Sequence, residues 1–174
     1  KLLQELGVQT YRFSVEWSDI EPTKGKYKDS AIQRYHEYID LLQGMNIEPV
    51  VCLFHFSQPK WFLEEGGFLK NPDSFLSFAE KMIQEYKAKV PYFVIFNEPN
   101  VFAICSYILK RWKPNQQNYF HFSKVLSHME DVANQLILSF PEVKFGVTLN
   151  IIPSYHDTFL NSMFDHMWNE SFLP

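Results

Sequence analysis

The stretch Thr10–Trp17, TYRFSVEW, alternates with period two. As a strand it sets Tyr11, Phe13, Val15 and Trp17 on one face and Arg12, Ser14 and Glu16 on the other. An arginine and a glutamate on one face are costly to bury beneath a helix, because a buried charge without a partner loses its hydration. The same face is well placed in a lumen that opens onto a cleft, with the aromatics turned out to the helices. That contrast decides the fold, because the rest of the chain alternates strand and helix.

After the turn-rich DIEPTKGKYKD, the spacing predicts a helix from about Ser30 to Gln43. Asp29 is its N-cap, Gly44 closes it, and Ile32, Tyr35, Ile39 and Leu42 share a face. Ile47–Phe56 is a nearly continuous apolar run, as expected of a strand covered on both sides. Asn71 and Pro72 open a second helix as cap and first residue, with Phe75, Phe78, Ala79, Met82, Ile83 and Tyr86 at helical spacing. Tyr92–Pro99, YFVIFNEP, is the third strand. A long helix from about Tyr119 to Phe140 carries Phe122, Val125, Leu126, Met129, Ala133, Leu136 and Ile137, and Pro141 ends it. VKFGVTLN is the fourth strand, and a further helix begins in TFLNSMFDHMWNES. Strands that each precede a helix imply parallel pairing, in an open doubly wound sheet or in part of a (β/α)8 barrel. No glycine-rich phosphate loop follows any strand, and the polar face of the first strand favours the barrel.

Composition narrows the function. The net charge of −4 comes from interspersed charges, so no face reads as a nucleic-acid footprint, and Lys110-Arg111-Trp112-Lys113 is too short to make one. Aromatics reach 17%, including 17 Phe, which reads first as a phenylalanine-rich core and second as sugar-stacking surface. No apolar run is long enough to span a membrane. Cys52 and Cys105 form no disulfide framework and point to a reducing compartment, the cytoplasm. Leu2, Leu3, Leu6 and Gly7 read as the last turns of a helix that starts earlier, so the chain is expected to begin within a domain. His121 and His128 lie two helical turns apart, and no His-Glu-x-x-His or Cys-x-x-Cys pattern occurs, so neither a metal nor another cofactor is expected.

Barrel enzymes hold their chemistry at the carboxyl ends of the strands. Those ends offer Glu16-Trp17, His55-Phe56, Asn97-Glu98 and Asn150. Glu98, at the tip of an apolar strand and before Pro99, is a candidate general acid. Asn97 and His55 are candidates to bind substrate hydroxyls, and Arg12 to hold an anionic partner from inside the barrel. Trp61 could stack a sugar or line the loop against the next helix, and Trp112 reads as exposed or locally packed.

YRFSVEWSDIEP, FHFSQPKWFLEEGGF and FNEPN, in this order, resemble the successive signatures of glycoside hydrolase family 1, the β-glucosidase family. The resemblance continues through FGVTLN and FDHMWNESFL, from Leu2 to about Leu173. It implies a (β/α)8 barrel of which residues 1–174 form an incomplete domain, about the second to fifth strands. It also implies hydrolysis of β-glycosides or oligosaccharides with retained configuration. Glu98 would be the acid/base, Asn97 the contact to the sugar 2-hydroxyl, His55 a second sugar contact, and Arg12 the residue that orients the nucleophile. The nucleophile itself, a glutamate in a Glu-Asn-Gly motif after the seventh strand, has no counterpart here. The rest of the barrel is thus a required partner, and the chain alone is expected to be inactive. A carbohydrate-binding pseudoenzyme or a non-functional truncated product are the alternatives. Three departures from the family pattern stand out: Phe56 where Trp is frequent, Ile95 where Thr is usual, and Ser106, Lys110 and Asn115 where glycines are expected.

Overall fold

The computed structural model describes residues 2–151. Four parallel strands lie in the order of the chain: β1 (Thr10–Ser14), β2 (Glu48–Phe54), β3 (Tyr92–Asn97) and β4 (Lys144–Thr148). Between them run α2 (Trp17–Ile20), α3 (Asp29–Gly44), α4 (Lys60–Glu64), α5 (Gly67–Lys70), α6 (Pro72–Tyr86), α7 (Pro99–Tyr107) and α8 (Tyr119–Ser139). A short α1 (Leu2–Glu5) precedes the sheet. This is half of a (β/α)8 barrel. The helix expected after residue 157 lies outside the described residues.

Register explains the two faces. Arg12 stands beside Val50, Val50 beside Tyr92, and Tyr92 beside Lys144, in a row along the inner face. One residue on, Phe13, Val51, Phe93 and Phe145 form the outward row. Phe13 packs against Tyr35 and Tyr38 of α3, with ring centroids 6.2 and 4.8 Å away. The polar face of the first strand therefore turns inward, as its alternation demands.

The alternation misleads at one end. The strand stops at Ser14, and Glu16 is the N-cap of α2, its carboxylate accepting from Ser18 N at 3.2 Å. Trp17 therefore leaves the rim and sits 1% exposed in the core, where its ring meets Phe62, Phe75, Phe78 and Trp61. Its indole N–H is satisfied by Glu21 at 2.7 Å, as a buried donor requires. Around it, Phe54 meets Phe68, Phe75, Phe96 and Phe102 at 5.0–5.9 Å. Much of the phenylalanine content is thus core, built from edge-on pairs that aromatic quadrupoles favour.

Helix ends differ in detail. Lys28 precedes α3 and Asp29 is its first residue, where its charge favours the helix N-terminus. Gly44 stays helical, and the left-handed turn after the helix is taken by Asn46 at φ 62°. Asn71 and Pro72 open α6 as expected, but the Asn71 amide bonds Glu65 rather than the helix. In α8 the stripe is buried through Leu136, whereas Ile137 points to solvent.

Candidate active site

Strict alternation from Val94 would turn Asn97 outward with Phe93 and Ile95. A register shift between Val94 and Asn97 prevents this. Ile95 and Phe96 are both buried in the core, Phe96 lying 5.1 Å from the Phe75 ring. Asn97 is thereby returned to the inner face, where its Oδ1 accepts from Arg12 Nη2 at 2.7 Å. Ile95, in place of the family's usual threonine, is a core residue here.

A single hydroxyl ties the strand ends together. Thr148 Oγ1 donates to Asn97 Oδ1 at 3.0 Å and accepts from Arg12 Nη1 at 3.5 Å and Glu98 N at 3.3 Å. One donor and two acceptor sites are all that a hydroxyl has, so Thr148 is saturated. Because arginine only donates, the Asn97 oxygen must face it, and Nδ2 is turned away from it. Thr148 escaped the sequence reading; its only signal was a hydroxyl at the tip of a strand already read as barrel.

Glu98 follows in the left-handed region, at φ 47° and ψ 59°. A residue with a Cβ there costs roughly 1–2 kcal/mol. Its N–H is fixed to Thr148 O at 2.8 Å across β4, and the next residue, Pro99, opens α7. Asn150 Nδ2 reaches Glu98 Oε1 at 3.4 Å, and Asn100 Nδ2 holds Asn150 O at 2.9 Å. Strain held this firmly at a strand tip is a mark of functional geometry.

His55 completes the group. Its Nδ1 lies 2.8 Å from Ser14 Oγ on the neighbouring strand. Burial, and then the Arg12 charge, hold its pKa below the ordinary 6.5, while the Glu98 charge opposes them. The imidazole is therefore neutral near pH 7, and Ser14, its partner on β1, lies two residues from Arg12, which holds Asn97 beside Glu98. The four residues singled out from the sequence thus come together, whereas Glu16, offered at the same rim, has its carboxylate occupied by Ser18 and Ser57. Trp61 lines the loop, its indole N–H on Glu21 O at 2.9 Å.

The Glycosyl hydrolase family 1 model matches residues 1–155. The chain belongs to glycosyl hydrolase family 1. It is 29% identical to the 6-phospho-beta-glucosidase GmuD of Bacillus subtilis over 99% of its own length and 40% of that protein's. It is 32% identical to the cytosolic beta-glucosidase of Homo sapiens over 66% of this chain and 25% of the relative. The solved beta-glycosidase of Pyrococcus horikoshii superposes with a TM-score of 0.88 at 33% identity, over 99% of this chain and 43% of that one. This family 1 chain therefore spans well under half the length of these relatives.

The loop after α7 is where the chain departs most from the family pattern. Lys110 and Asn115 both stand at positive φ, 55° and 59°, at positions where the family pattern has glycine. Ser106, at a third such position, is fully buried, and its hydroxyl has no hydrogen-bond partner among the described residues. Trp112 packs on Phe56, ring centroids 4.7 Å apart. Among the described residues no three His, Cys, Asp or Glu side chains cluster as metal ligands, and no described helix is long and apolar enough to cross a membrane.

Proposed function

We propose that this chain supplies the acid/base side of a retaining β-glycosidase site, as one incomplete barrel domain over residues 1–174. The observation that carries this is Glu98, held in a strained conformation at the tip of β3 by Thr148, which also bonds the paired Arg12 and Asn97. Glu98 protonates the departing glycosidic oxygen, and the resulting carboxylate then takes a proton from the incoming water. Asn97 Nδ2 donates to the sugar 2-hydroxyl, and neutral His55 contacts another hydroxyl. Arg12 is exposed on the inner face and has no carboxylate partner among the described residues, which suits a group that orients a nucleophile from elsewhere in the barrel.

Retention needs two carboxyls about 5–5.5 Å apart. Glu16 is committed to Ser18 and Ser57, and Glu21 to Trp17 and Gly25. The family resemblance puts the nucleophile in a later part of the barrel, for which the longer relatives have the length. Free Cys52 and Cys105, with the human relative named as cytosolic, support a cytoplasmic setting. The strained loop after α7 favours a second reading, a sugar-binding protein without turnover.

The test is a chimera in which residues 1–155 replace the matched segment of the Pyrococcus horikoshii beta-glycosidase. Hydrolysis of an aryl β-glucoside with retained configuration is expected. A folded chimera that binds the glucoside without cleaving it would leave the binding reading in place.

A further inference from the structure

The loop from Ile108 to Asn118 folds back on the end of α7 through backbone bonds from Arg111 N and Trp112 N to Cys105 O, Gln116 N to Ser106 O, and Asn118 N to Tyr107 O. Ile108 N and Leu109 N take Ile104 O. The last carbonyls of α7 are therefore all satisfied by N–H groups. The cations in this loop are not needed as helix caps, which is the ordinary reason for basic residues at such a position.

Lys110, Arg111 and Lys113 are exposed, and none forms an ion pair among the described residues. Elsewhere Lys24, Lys28, Arg34, Lys60, Lys81, Lys87 and Lys89 are each paired with a carboxylate. On a chain of net charge −4, three uncompensated cations within four residues make a local positive field. At their centre Trp112 leans on Phe56 at 4.7 Å, and Phe56 adjoins His55, ring centroids 5.2 Å apart. His55 in turn feels the Glu98 charge. His55 follows the end of β2 and Glu98 the end of the neighbouring parallel β3, so the aromatic pair stands at the same rim as the proton donor, with the three cations beside Trp112 in the chain.

We propose that Phe56 and Trp112, flanked in the chain by Lys110, Arg111 and Lys113, form a leaving-group subsite that selects an aromatic aglycone bearing a negative charge. This rests on the glycosidase reading of the cleft. The aromatic ring of the aglycone stacks on the shelf, and its anionic group sits within a Debye length of the three cations, so selectivity needs no fixed contact. The charge recognised belongs to the aglycone and not to a phosphorylated sugar.

The test measures binding to the full 174-residue chain by tryptophan fluorescence. The probes are phenyl β-D-thioglucoside, its 4-carboxyphenyl counterpart, phenyl 6-phospho-β-D-thioglucoside, and benzoate alone. The carboxylated glucoside is expected to bind roughly five-fold tighter than the neutral one at low salt. The advantage should shrink as salt rises and vanish when Lys110, Arg111 and Lys113 are all replaced by Gln. Equal affinity for the two glucosides overturns the subsite while leaving the sugar site intact, and an advantage that survives the triple replacement also overturns it. A gain confined to the 6-phosphate moves the selection to the sugar and overturns it as well. Benzoate binding as well as its glucoside would sustain the anion preference but remove the glycosidase reading beneath it. Absence of binding by every probe overturns both.

Discussion

His55 reports the charge arrangement of the cleft residue by residue. Its pKa is lowered by burial and by Arg12 and raised by Glu98. An NMR titration of its ring should show a midpoint below 6.5, moved up by Arg12→Gln and further down by Glu98→Gln. No response to either change would separate His55 from the cleft. Because the folded pKa lies below the unfolded one, the unfolded chain binds more protons in the window between them. His55 therefore contributes stability that is complete above about pH 6.5 and is lost as pH falls through its folded value. Arg12, His55, Asn97 and Glu98 were legible in the sequence because polar residues that end apolar strands have few other reasons to be there. Thr148 was not, since a hydroxyl at a strand tip carries no such contrast.

At the scale of elements, the loop after α7 yields a differential prediction. Lys110→Gly relieves left-handed strain of roughly 1–2 kcal/mol at an unfolded-state entropy cost of about 0.5–1 kcal/mol. The net gain should be about 0.5–1 kcal/mol in denaturant unfolding. Asn115→Gly should be neutral or slightly destabilising, because Asn tolerates that conformation and the entropy cost of glycine remains. Ser106→Ala should stabilise by roughly 1–3 kcal/mol, since it removes a buried hydroxyl without a partner among the described residues. In the opposite direction, Trp17→Ala should cost about 3–5 kcal/mol through lost core contacts. The long helices α3, α6 and α8 were readable from their apolar stripes. α7 was not: Phe102, Ala103, Ile104, Ser106 and Tyr107 are buried nearly all round, and such a helix has no stripe to read. Trp17 was misread because a period-two pattern ran on, by accident of composition, into the first turn of α2.

For the molecule as a whole, β1 and β4 each have one strand neighbour among the described residues, and the inner face carries exposed Arg12 and Lys144. The relatives of which this chain covers 40–43% have the length to set further units against such edges. The chain by itself should release no 4-nitrophenol from its β-glucoside, because no second carboxylate among the described residues stands ready to form the glycosyl intermediate. The most direct test is the leaving-group dependence of Glu98→Gln in the chimera with the Pyrococcus horikoshii beta-glycosidase. Glucosides of poor leaving groups, which must be protonated, should lose roughly 10²–10⁴-fold in kcat/KM, while activated aryl glucosides lose far less at the first step. An equal loss on both classes would contradict the assignment of Glu98 as the proton donor.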